Sequence, residues 1–91
     1  MAVYSVSYDL NKIGQNYDGL INEIKTFNDY EKVMKSHWFI YYNGTAEQAY
    51  TKLSKHLDSN DNILISEVNL SYYGFLQKTT LLFCYVHHLC R

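Results

Sequence analysis

Three carboxylates stand where chemistry could be done: Asp9 in Tyr8-Asp9-Leu10, and Asp58 and Asp61 in Asp58-Ser59-Asn60-Asp61-Asn62. Mg²⁺ and Mn²⁺ are hard cations that prefer oxygen ligands and keep several waters. If the fold brings these side chains together, Asp9 is the principal ligand and Asp61 a second or outer-shell one. The chemistry is then metal-assisted phosphodiester cleavage, with the metal activating water and His37 or Lys12 meeting the phosphate. Turn chemistry explains the same residues: Asp9 ends a strand with an Asx-turn, and Asp58 and Asp61 are ordinary in a helix-to-strand turn. Both readings stay open at this point.

Two other groups have chemical potential. Lys52 and Lys55 share a helix face, Lys32 and Lys35 sit on an edge strand, and Lys12 follows the first strand. With exposed Tyr rings for stacking, these lysines are the candidate nucleic-acid contacts. Near the C-terminus, Cys84, His87, His88 and Cys90 could supply soft ligands to Zn²⁺, either as Cys84, His87 and His88 on a helix or as Cys84, His88 and Cys90 on a strand. Their spacing matches no standard zinc site, and buried free thiols with ordinary interface histidines account for them better than a metal does. No nucleophile elbow and no Gly-rich phosphate loop is present, since the four Gly are isolated.

The elements that must position these residues belong to a single domain, because 91 residues hold one core. A chain 47% hydrophobic and 16% aromatic folds into a packed core rather than staying disordered. Eight Lys and Arg against nine Asp and Glu give a net charge of −1, so no global basic field draws in nucleic acid or an acidic membrane. Arg91 is the one arginine, the residue type that makes bidentate phosphate and base contacts. With no basic n-region and apolar run at the N-terminus, and no stretch near the roughly 18 apolar residues that cross a bilayer, the expected location is cytoplasmic with reduced thiols.

Residues 3–10 alternate with the period of a strand. Tyr17, Leu20, Ile21, Ile24 and Phe27 recur at helical spacing, with Asn16 as expected N-cap. From Tyr30 to Asn43 the chain reads as an edge-like strand and a more buried one, Trp38 to Tyr42, joined by a tight turn at Lys35-Ser36-His37. Thr45 and Gln48 form a capping box ahead of a second helix carrying Ala46, Ala49, Tyr50, Leu53 and Leu57, and Ile63 to Val68 is a fourth strand. The expected class is α+β, a ferredoxin-like βαββαβ unit with a four-stranded antiparallel sheet and two helices on one face. Residues 1–76 form this domain. Residues 77–91 are an extension, strand or short helix, and a possible dimerisation element. In this topology the end of the first strand, the turn between the second and third, and the approach to the fourth share one rim, which gathers Asp9, Asn11, Ser36, His37, Asp58 and Asp61.

At Val6-Ser7-Tyr8-Asp9-Leu10-Asn11-Lys12 with Gly14-Gln15-Asn16-Tyr17, then Ser36 and Trp38, then His56-Leu57-Asp58-Ser59-Asn60-Asp61, the chain resembles small bacterial and phage proteins labelled SinR-like. That group is similar to the small CRISPR-adaptation protein that partners the spacer integrase, and to VapD-type ribonucleases. The resemblance covers about residues 2–76. It implies a ferredoxin-like fold, a homodimer, and a pair of aspartates matching Asp9 across a cleft where a divalent metal can bind. Two functions are therefore expected from different classes: a non-catalytic homodimeric module that binds a host or phage protein, and a metal-dependent endonuclease or nucleic-acid-binding protein using Asp9.

Overall fold

The structure, a computed structural model, describes residues 1–11, 17–69, 74 and 76–87. Its elements are β1 (Ala2–Asp9), α1 (Asp18–Ile24), β2 (Asp29–Met34), β3 (His37–Tyr42), α2 (Ala46–Ser54), β4 (Asn62–Glu67) and α3 (Lys78–Val86). The four strands form one antiparallel sheet in the order β2-β3-β1-β4, consistent with the ferredoxin-like arrangement.

Alternation along β1 separates two cores. Tyr4, Val6 and Tyr8 face α1 and α2, where they meet Leu20 and Ile24 of α1, Ala49 and Leu53 of α2, and Trp38 and Ile40 of β3. Leu20, Ile24, Ile40 and Leu53 are fully buried, each worth about 1.5 to 3 kcal/mol of transfer free energy. The buried polar ends are paired: the Trp38 indole N–H donates to the Tyr8 hydroxyl at 3.0 Å, and the Tyr4 hydroxyl donates to the Gly44 carbonyl at 2.8 Å. Gly44 has no room for a side chain, since a Cβ there would collide with the Tyr42 ring and Gln48. Gln48 itself is committed to the capping box with Thr45 that starts α2.

The opposite face carries a smaller core of Val3, Val33, Phe39, Phe83 and Cys84. It exists because residues 78–86, which the sequence left as strand or helix, form α3. Thr80, Phe83, Cys84 and His87 fall at i, i+3, i+4 and i+7, and this stripe lies on the sheet. Two polar bonds flank it: the Thr80 hydroxyl donates to Glu31 Oε2 at 3.1 Å, and His87 Nε2 meets Asp29 Oδ2 at 2.8 Å while its ring stacks on Tyr41.

Other expectations need smaller corrections. The N-cap of α1 is Tyr17, with no side-chain cap bond, rather than Asn16, which lies outside the described residues. The helix stops at Ile24, so Phe27 is buried from the following turn and not from the helix. The β2–β3 turn is Lys35-Ser36, and His37 already belongs to β3.

Candidate functional site

The rim forms as the topology requires. Asp9, the last residue of β1, pairs with Asn62 at the start of β4, and the Tyr8 N–H donates to the Ser36 carbonyl at 3.0 Å. Between them lies an open groove of about 510 Å³ whose polar lining is Ser7, Asp9, Lys35, Ser36, His37 and Asn62. The Asp9 side chain is exposed there.

His37 is the half-buried group of this groove. Its Nε2 lies 2.6 Å from Ser5 Oγ, and its ring meets Phe39 edge-on. Burial holds the imidazole below its ordinary value of 6.5, so it is neutral at pH 7 and can hydrogen-bond a phosphate but not pair with it as a cation. The unfolded chain binds this proton more readily than the folded one, so His37 lowers stability as pH falls through the ordinary imidazole range. The expected result is a melting temperature that declines from pH 8 to pH 5, with a shallower decline in His37→Gln. Equal slopes would remove His37 from the pH dependence.

Ser5 and His37 make a hydroxyl–imidazole pair without the rest of a nucleophilic site. The alternating ladders of β1 spend its backbone N–H groups on β3 and β4, so no pair of donors is left around Ser5 to hold an oxyanion.

Asp61, the expected second ligand, is engaged elsewhere. Its Oδ1 accepts from the Asn11 N–H at 2.7 Å and its Oδ2 from the Asp58 N–H at 2.8 Å, while the Tyr17 hydroxyl reaches both oxygens at 2.7 and 2.8 Å. Asn11 Nδ2 adds a bond to the Asn60 carbonyl at 2.9 Å. Asp61 thus ties the segment after β1 to the α2–β4 turn, and it lines a different depression, with Tyr50, Leu57 and Asp58. Among the described residues, no group of three or more His, Cys, Asp or Glu side chains converges as a metal site would. Asp9 and Asp61 line separate depressions.

The lysines are dispersed. Lys32 and Lys35 are exposed at the outer edge and end of β2, whereas Lys52 Nζ sits 4.8 Å from the centre of the Phe27 ring and Lys55 Nζ is 3.1 Å from Glu23 Oε1. Lys12 lies outside the described residues. At the C-terminal cluster, Cys84 is buried in the second core and His87 is bonded to Asp29, while His88 and Cys90 lie outside the described residues.

Sequence reasoning missed the Glu23 cluster. Glu23 Oε1 meets both His56 Nε2 and Lys55 Nζ at 3.1 Å, joining α1 to the end of α2; the His56 bond first, then Lys55, holds its carboxyl below the ordinary range. These residues are more than thirty positions apart, and nothing local marks them as partners.

No family model, curated protein or solved structure matches the chain. Among the described residues no helix is long and apolar enough to cross a membrane.

Proposed function

We propose that this protein is a small homodimeric interaction module built on a ferredoxin-like βαββαβ body, kin to the SinR-like proteins. The strand order and the placement of α1 and α2 on one face support the architecture. The observation that carries the function is α3. Its inner stripe is buried on the sheet, yet Leu81, Leu82, Tyr85 and Val86 on its other sides are 46 to 71% exposed. Beyond its first turn, Lys78-Thr79-Thr80, the helix is apolar on its outer sides as well as its inner one, and exposed apolar patches of a few hundred Å² mark interaction sites on small proteins. The sheet covers the inner side, and a second chain, another copy or a host or phage protein, covers the outer ones.

The nucleic-acid and nuclease reading is the alternative. Its support is the groove beside Asp9, Lys35 and His37, and against it stand the dispersed lysines, the net charge of −1 and the commitment of Asp61 to the turn. Metal-dependent cleavage of RNA or DNA that disappears in Asp9→Asn would reverse this ranking.

Light scattering across a concentration series tests the proposal. A mass twice the 10.7 kDa of one chain is expected at micromolar concentration. A mass of 10.7 kDa up to the millimolar range would overturn it.

A further inference from the structure

We infer that two copies join through the outer edge of β4, an inference that rests on the dimeric reading above and gives it a geometry. The sheet ends in two edge strands, β2 and β4, of opposite character. β2 carries Lys32, and its register breaks between Lys32 and Met34; charge and a bulge are the devices that keep an edge from pairing. β4 has neither. Asn62-Ile63-Leu64-Ile65-Ser66-Glu67 holds an unbroken register with β1 over six pairs and contains no Lys, Arg or Pro, and no described element pairs with its outer side.

The hydrogen-bond parity identifies which groups are open. Val68 N–H donates to the Val3 carbonyl at 2.8 Å, so the odd residues of β1 exchange bonds with β4; the even ones turn to β3, as the Tyr8 to Ser36 bond confirms. Positions 62, 64 and 66 therefore point their backbone groups at β1. Ile63, Ile65 and Glu67 aim theirs outward.

Such an edge is a template for an extended strand, and this one fits its own copy. In a two-fold antiparallel pairing centred on Ile65, Ile63 lies opposite Glu67 of the second copy, and Leu64 opposite Ser66. Every outward N–H and C=O of the strand is used, and no like charges oppose one another. Centring on Leu64 instead would set Glu67 against Asp61, a repulsive pair. Leu64, 67% exposed, gains a cross-strand neighbour by this pairing, and Tyr50, which shares a depression with Ile63, lies beside the seam. The outward face of α3 remains open on the assembled sheet.

Hydrogen exchange followed amide by amide, together with mass, tests this. A lone chain gives alternation along β4, with slow amides at Leu64 and Ser66 and fast ones at Ile63, Ile65 and Glu67. The paired dimer slows the Ile63 and Ile65 amides at least about tenfold, and dilution restores their exchange. The double variant Leu64→Lys with Ser66→Lys changes two exposed side chains and should raise the dimer dissociation constant at least about tenfold, because like charges then face across the seam. Leu82→Lys on α3 should leave the mass unchanged. If the wild type is monomeric, the dimeric reading fails and this inference with it. If it is dimeric with fast Ile63 and Ile65 amides, and Leu82→Lys dissociates it while the β4 variant does not, the seam lies on α3: this inference is overturned and the dimeric reading survives.

Discussion

Asp61→Ala is expected to lower the unfolding free energy by about 2 to 4 kcal/mol, a fall of roughly 10 to 20 °C in Tm for a domain of this size. Three donors lose their acceptor at once: the Asn11 and Asp58 N–H groups and the Tyr17 hydroxyl. Hydrogen bonds to a charged group are worth about 1.5 to 3 kcal/mol each when enclosed, and the half-buried position lets water replace part of that, so the total stays below the sum. Asp61→Asn keeps one acceptor oxygen and turns an amide toward the other donors, and should fall between. A thermal melt in EDTA makes the result decisive. A residue serving only as a metal ligand would leave the metal-free melting temperature near wild type, whereas a turn-holding residue lowers it with or without metal.

Phe83→Ala carries the other large effect, about 3 to 5 kcal/mol. Phe83 is buried against Phe39, with ring centres 6.1 Å apart, and against His87 at 4.5 Å, and it is the largest side chain that α3 contributes to the second core. Its loss should loosen α3 and uncover Phe39, Tyr41 and Val3 of the sheet, so binding of an apolar dye in native buffer should rise. Trp38 lies on the other face among α1 and α2, so its emission maximum should not move in the folded variant. A wild-type melting temperature with no added dye binding would show that α3 is not held by this side chain.

The elements that spoke clearly in the sequence are those with one buried side. α2 announced itself through Thr45, Gln48 and a clean apolar stripe, and β1 through strict alternation; both lie where the residues placed them. α3 was ambiguous for a physical reason. Its outward residues are as apolar as its buried ones, so the helical period cancels, and Thr79, Thr80, Phe83, Tyr85 and Val86 carry strand propensity that tertiary packing overrides. The rim was legible because topology alone brings Asp9, Ser36 and His37 to one end of the sheet. What topology could not tell is where each carboxylate points. Asp9 faces the groove and Asp61 turns toward Asn11, Tyr17 and Asp58, a choice made by donors that are neighbours only in the folded chain. The open edge of β4 follows from the expected topology, because strand order, not strand composition, decides which strand is left at the side of a sheet.

Small-angle X-ray scattering on the wild-type protein tests the central claim, self-association, most directly, since it reports mass and shape together. One chain has a radius of gyration of 13.1 Å. Two copies of 91 residues reach about 16 Å even when packed as one compact body, and more when joined edge to edge. The expected result is a mass twice 10.7 kDa with a radius of gyration at or above that value. A mass of 10.7 kDa with a radius close to 13.1 Å at every concentration would contradict the dimer.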